Sequence, residues 1–67
     1  MTADDIRDID ESLAQLRWRY NVAAERFETV PTAEADAIEV DWTDVLVALP
    51  HLSLNDLQAY EEAKQRR

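Results

Sequence analysis

The 67-residue sequence contains no glycine and no cysteine, and it has only two prolines. Without glycine, turns that need a positive φ are unfavourable, and hairpin signals such as Asn-Gly are missing. Without cysteine, neither a disulfide nor a cysteine-based metal site can stabilise the chain. One core of this size supplies only ~3–5 kcal/mol, and oligomerisation is a usual further source of stability. These absences favour a small helical domain that associates with other chains.

Long apolar runs are also missing, since no segment approaches the ~20 residues of a membrane span. Fifteen acidic residues against seven basic ones give a net charge of -8, which disfavours nucleic acids and membranes as partners. Residues 27–63 contain nine carboxylates and no Lys or Arg. Because the sequence has no candidate membrane span, we expect a cytoplasmic protein. The acidic stretch is either a solvated surface or a surface directed at a basic partner.

An apolar stripe dominates the first half of the chain, with steps that alternate between three and four residues. Its members are Ile6, Ile9, Leu13, Leu16, Tyr20, Ala23 and Phe27. This spacing is typical of the a and d positions of a coiled coil, so it predicts one helix over residues 2–28, on the order of 40 Å long. A capping-box pattern, Thr2 with Asp5, begins the helix, and the Val30-Pro31 pair stops it.

The charged residues beside the stripe indicate how two such helices would pair. With Ile6 at heptad position a, Asp5 and Arg26 fall at g, and Asp10 and Arg17 fall at e. An antiparallel pair sets Asp5 against Arg26 and Asp10 against Arg17, so the sequence predicts an antiparallel homodimer. The predicted interface consists of these four residues with Ile6, Ile9, Leu13, Leu16, Tyr20 and Phe27. The alternative is a monomer in which the stripe packs against later helices of the same chain.

A second, smaller apolar patch is predicted on the opposite side of this helix, at Trp18 and Val22. It offers a surface on which the later helices pack. Residues 29–40 are interpreted as a connector, in which either Thr32 caps a short turn or residues 37–40 extend as an arm. The connector leads to the second half of the domain.

Two short helices are predicted after the connector, at residues 41–49 and 53–66. Trp42, Val45, Leu46 and Leu49 share one face of the first of these helices. Ser53 with Asp56 forms a second capping-box pattern. The predicted fold is therefore a single all-α domain: one long coiled-coil-like helix, a connector and two short helices packed back, as a helical-bundle homodimer.

No constellation in the sequence supports catalysis or a cofactor. His51 is the only histidine and has no cysteine or locally placed hydroxyl as a partner. The carboxylates of residues 34–44 lack the glycine that an EF-hand loop requires. We expect a non-catalytic protein-interaction or oligomerisation module, such as an adaptor, assembly component or small regulator, that associates through the first helix. The alternative is an acidic inhibitor or nucleic-acid mimic, of phage or anti-defence type, that binds a basic protein site.

Overall fold

The computed structural model describes residues 1–66 as three helices and one three-stranded sheet. The elements are α1 (Ala3–Gln15), β1 (Trp18–Asn21), β2 (Arg26–Thr29), β3 (Glu39–Val40), α2 (Trp42–Ala48) and α3 (Leu54–Gln65). The strands are antiparallel, in the order β1-β2-β3. The all-α prediction is therefore wrong, and so are the coiled coil and the helical bundle. The chain is a mixed helix-and-sheet domain.

Helix α1 has only 13 residues, although its start is the predicted one. The Thr2 hydroxyl accepts the Asp5 N–H, and the Asp5 carboxylate accepts the Thr2 N–H, so the capping box is confirmed. The helix ends because Arg17 adopts φ 59°, with its N–H on the Ala14 carbonyl. A left-handed residue after the last helical turn redirects the chain and stops the helix. Residues 18–29 then form strands in place of the predicted helical turns.

A second left-handed residue closes the hairpin between β1 and β2. Asn21 pairs with Arg26, and residues 22–25 form the loop, in which Glu25 has φ 54°. The Asn21 side-chain oxygen accepts the Ala24 N–H at 3.2 Å and holds the turn. The expectation that a chain without glycine avoids turns of positive φ is therefore wrong. Arg17 and Glu25 adopt that conformation despite their Cβ atoms.

The core lies between the sheet and the helices. Its buried residues are Ile9, Leu13, Tyr20, Phe27, Val40, Val45, Leu49, Leu57 and Tyr60. Tyr20 and Phe27 are register partners on the same sheet face, with ring centroids 5.0 Å apart in an edge-to-face arrangement. The Tyr60 ring of α3 stacks on Phe27 at 6.0 Å. These three aromatic rings join the hairpin to the last helix.

Helices α2 and α3 lie within the two stretches predicted for them. Val45 of α2 is buried, and the Ser53 capping box at the start of α3 is confirmed. In the connector, the Thr32 hydroxyl accepts the N–H of Ala35, and residues 39–40 form β3, so the two alternatives for this segment are not exclusive. Across residues 1–66 no helix has the length and apolar character needed to cross a membrane.

Candidate functional site

The apolar residues of the predicted dimer interface do not share one exposed surface. Ile9, Leu13, Tyr20 and Phe27 are buried in the core of their own chain, and Ile6 packs against that core. Leu16, the C-cap of α1, is 39% exposed. A second copy has no access to the buried side chains while the domain stays folded. The predicted interface along the apolar stripe is therefore wrong. The antiparallel homodimer itself stays a prediction, and it would have to use another surface.

Most of the charged residues of the predicted interface have partners within the chain. Asp5 belongs to the capping box, and its hydrogen bonds with Thr2 lower the pKa of its carboxyl. Asp10 accepts the Tyr60 hydroxyl and the Lys64 ammonium, the latter at 3.0 Å. Arg26 donates to the Glu28 carboxylate. The Arg17 side chain, exposed after the end of α1, is the one of the four that forms neither a salt bridge nor a side-chain hydrogen bond among residues 1–66.

The predicted second patch of Trp18 and Val22 does not exist as one surface. In a strand, alternate side chains share a face, so Trp18 lies on the Tyr20 side of the sheet and packs partly buried against the core. Val22 lies in the exposed hairpin loop. Residues four positions apart share a face in a helix, but Trp18 lies in a strand and Val22 in the loop after it. The prediction is wrong for that reason.

Glu28 is buried on the other face of the sheet, with 1% of its surface exposed. Arg19, its register partner, donates Nε and Nη2 to Oε1 at 3.1 and 3.0 Å. Arg26 donates the same two groups to Oε2 at 3.2 and 3.0 Å, and Asn21 donates its amide to Oε1 at 2.8 Å. Burial alone would raise the pKa of Glu28, but these hydrogen bonds outweigh it and hold the pKa below its ordinary value. Both oxygens of this carboxylate are therefore hydrogen-bonded, and Glu28 links the two strands of the hairpin.

A second polar network ties α3 to the rest of the domain on the core side. The Tyr60 hydroxyl donates to Asp10 of α1, and Gln65 donates its amide to the Tyr20 hydroxyl of β1 at 2.8 Å. Burial and the Asp10 carboxylate raise the pKa of Tyr60 well above its ordinary value. The phenol therefore stays protonated at neutral pH and acts as a structural donor.

Trp42 provides the corresponding link to α2. Its indole N–H donates to the Glu61 carboxylate at 2.9 Å. Burial raises the pKa of Glu61, although the hydrogen bond from Trp42 acts in the opposite direction. All three helices are therefore held by side-chain hydrogen bonds as well as by the core.

Two surface grooves differ sharply in charge. The larger, of about 520 Å³, we call the β1 groove; its lining is Asp10, Leu13, Ala14, Arg17, Trp18, Arg19, Tyr20, Val30, Thr32 and Lys64. The smaller, of about 410 Å³, is lined by Met1, Asp5, Asp8, Ile9, His51, Leu52, Asp56 and Ala59. The β1 groove carries three cationic side chains, and the smaller one carries three carboxylates with His51. None of the sequence-based predictions identified either groove.

Two aliphatic side chains are conspicuous on the surface. Ile38, just before β3, is 67% exposed, and Val47, on the outer face of α2, is 76% exposed. Exposed carboxylates flank both of them along the chain: Glu34, Asp36, Glu39, Asp41 and Asp44. We call residues 34–47 the acidic segment.

The comparisons with known proteins do not assign a function. No protein-family model matches the chain, and neither the curated proteins nor the solved structures gave a match. Within residues 1–66 no group of three or more His, Asp or Glu side chains is arranged to hold a metal ion. The functional interpretation therefore depends on the surfaces of the chain itself.

Proposed function

We propose that this chain is a small non-catalytic protein-interaction module that binds a basic partner through the acidic segment. The observation that carries the proposal is the exposure of Ile38 and Val47, at 67% and 76%, among exposed carboxylates. Large aliphatic side chains at the centre of a polar surface are typical anchors of protein interfaces. The acidic segment combines such anchors with a strong charge.

The fold explains why Val47 is available to a partner. Helix α2 directs Val45 into the core and packs Trp42 and Leu46 against it. Asp44 and Val47 are both exposed on this helix. Because the inward face already stabilises α2, neither of these side chains is needed for the fold. Substitutions there test binding without unfolding the domain.

The carboxylates of the acidic segment have no neutralising partner among the residues that the structure describes. Residues 27–63 contain no Lys or Arg, and the preceding cation, Arg26, is held by Glu28. The salt bridges of residues 1–66 involve no residue of the acidic segment. A basic partner would therefore meet unpaired charge, which accelerates association and selects against acidic proteins.

A second candidate function uses the same surface. An acidic inhibitor would occupy the nucleic-acid site of a basic protein, with the carboxylates in place of phosphates. The run of exposed carboxylates without cations favours this version. The two candidates differ in one consequence: an inhibitor displaces nucleic acid from its partner, and an adaptor does not.

The experiment places a photo-crosslinking amino acid at Val47 in the cells that make the protein. The matched control places it at Ala23, which is also exposed, in the hairpin loop. We expect the Val47 position to crosslink to one basic protein and the Ala23 position not to do so. The double substitution Asp41→Lys and Asp44→Lys should abolish that crosslink. Equal labelling from both positions, or a crosslink indifferent to the charge reversal, would contradict the proposal.

Purified partner then separates the two candidates. If the chain is an inhibitor, adding it in equal amount to the partner displaces a bound oligonucleotide. If it is an adaptor, the oligonucleotide stays bound. In both cases we expect complex formation to weaken as salt rises, because unpaired charges at the rim are screened by ions.

A further inference from the structure

Within residues 1–66, strand β1 has an open edge, because the sheet order is β1-β2-β3 and β1 pairs only with β2. The Arg17 carbonyl accepts the Val30 N–H at 2.8 Å, so the next residue, Trp18, occupies a non-hydrogen-bonded position of the antiparallel ladder. Tyr20, two residues on, occupies another. The backbone N–H and C=O groups of Trp18 and Tyr20 therefore point away from β2 toward the open edge.

The two edges of the sheet differ. The β3 edge is only two residues long and carries the exposed charge of Glu39, features that discourage pairing with other strands. The β1 edge is four residues long and contains Trp18 and Tyr20. An edge of this length, with aromatic residues and free backbone groups, is a template for an additional strand.

The β1 groove adjoins this open edge. Three consecutive residues of β1, Trp18 to Tyr20, form part of its lining, and Asp10, Leu13 and Ala14 of α1 form another part. Its apolar components include Trp18, which is only partly buried. The groove of about 520 Å³ therefore offers room and apolar contact directly beside the unpaired backbone groups.

The charge of the groove is opposite to that of the molecule. Three of the seven Lys and Arg residues, namely Arg17, Arg19 and Lys64, line it, although the net charge of the chain is -8. Arg19 is paired with Glu28 and Lys64 with Asp10. Its one carboxylate, Asp10, is already occupied by Tyr60 and Lys64. Arg17 forms no salt bridge within residues 1–66, so its guanidinium is available. A ligand in this groove gains by carrying negative charge.

We propose that the β1 groove binds an extended acidic segment of another protein, which adds to the sheet as a fourth strand along β1. The segment exchanges backbone hydrogen bonds with Trp18 and Tyr20, places a carboxylate at Arg17, and rests an apolar side chain on the Trp18 indole. Recognition is by strand addition, in which the main chain supplies affinity and alternate side chains supply specificity. This site is separate from the acidic segment and selects a partner of opposite charge.

The probe is a short fluorescein-labelled peptide that alternates glutamate and valine, followed by fluorescence anisotropy. One control peptide replaces glutamate by lysine, and another carries N-methyl groups on alternate backbone nitrogens, which prevents strand pairing. We expect the glutamate peptide to bind and both controls to fail. Arg17→Glu should weaken binding by at least about tenfold, because it reverses the available cation. Arg7→Glu, a matched charge reversal at an exposed position outside the groove, should change it less than about twofold.

Amide hydrogen exchange locates the strand. In the free protein, the Trp18 and Tyr20 amides should exchange fast and the Arg19 amide, which faces β2, slowly. The bound peptide should protect the Trp18 and Tyr20 amides. Protection of those amides in the free monomer, binding that leaves them unprotected, equal effects of Arg17→Glu and Arg7→Glu, or no binding of the glutamate peptide would each overturn the proposal. If light scattering shows a dimer and the Trp18 and Tyr20 amides are protected in it, the occupant is a second copy and the proposal of an acidic segment from another protein is overturned.

These results are distinct from those that test the proposed function. Charge reversal at Asp41 and Asp44 should leave peptide binding in the β1 groove unchanged. Arg17→Glu should leave the Val47 crosslink unchanged. Each proposal can therefore be refuted while the other stands.

Discussion

The Tyr60 hydroxyl offers a sharp test of how α3 is held, because Tyr60→Phe removes one atom from a fully buried side chain. The ring keeps its stacking on Phe27 and its edge contact with Tyr20. What is lost is the hydrogen bond to the Asp10 carboxylate. Hydrogen bonds to charged groups contribute ~1.5–3 kcal/mol. The Asp10 side chain is 42% exposed and keeps Lys64, so water replaces the phenol in part and the expected loss is about 1–2 kcal/mol.

The assay is urea unfolding, followed by tryptophan fluorescence and circular dichroism. The midpoint should fall while the slope m stays constant, since the surface exposed on unfolding is unchanged. Tyr20→Phe is the matched control. It also removes a core phenol, but that hydroxyl is bound by the exposed, neutral Gln65, so the loss should be only ~0.5–1 kcal/mol. The reasoning is refuted if Tyr60→Phe leaves the midpoint unchanged, or if Tyr20→Phe costs more than Tyr60→Phe.

Three further predictions concern backbone strain and pH. Arg17→Gly and Glu25→Gly should each raise the free energy of unfolding by about 1 kcal/mol, because glycine adopts their positive φ without a Cβ clash. The pKa of Glu28 is lower in the fold than its ordinary value of 4.5, so its ionised form contributes stability above pH 4.5, and this contribution is lost as the pH falls through the folded-state pKa. The pKa of Tyr60 is raised above its ordinary value of 10.0, so the neutral phenol contributes stability below pH 10 that is lost as the pH rises further. Urea unfolding measures the first, and urea midpoints across an acid and an alkaline series measure the other two.

Each of these predictions has a control. Alanine at Arg17 or Glu25 keeps the Cβ and should not stabilise; stabilisation by alanine equal to that by glycine would contradict the strain argument. Glu28→Gln should flatten the acid side of the stability profile, and an unchanged acid limb would mean that Glu28 is not responsible. For Tyr60, phenolate absorbance that appears near pH 10 in a still-folded chain would show that the hydroxyl is not held as described.

The helical part of the fold was accessible from sequence because its signals are local. The capping boxes at Thr2 and Ser53 and the apolar face of α2 all formed as expected. A capping box depends on two residues three positions apart, and a short amphipathic helix depends on apolar residues that recur every three to four positions. Neither requires knowledge of distant contacts.

The hairpin was missed because two periodicities coincide. Tyr20 and Phe27 continue the helical stripe of Leu13, yet they also face each other across β1 and β2. The alternation Trp18-Arg19-Tyr20-Asn21 also fits a strand, in which Trp18 and Tyr20 have high β propensity. No glycine marked the turns.

The candidate surfaces could not have been predicted from spacing along the chain. The β1 groove unites Asp10, Trp18 and Lys64, which meet only when α1, β1 and α3 pack together. In the sequence, Glu28 is one of nine carboxylates in residues 27–63, and its burial is not visible there because its two arginines reach it through strand register and not through helical spacing. The excess of carboxylates in residues 27–63 is visible in the sequence, but the exposure of Ile38 and Val47 is visible only in the fold.

The most direct test of this account is a nuclear Overhauser spectrum of residues 16–30 in the isolated chain. The account predicts strong contacts between the α protons of Trp18 and Thr29, and of Tyr20 and Phe27, because these are the non-hydrogen-bonded pairs of the ladder, where the Cα atoms approach to about 4.5 Å. The same pairs would confirm that the β1 backbone groups face the open edge. Helical contacts between the α proton of one residue and the amide three positions on, continuing unbroken from α1 to Phe27, would contradict it.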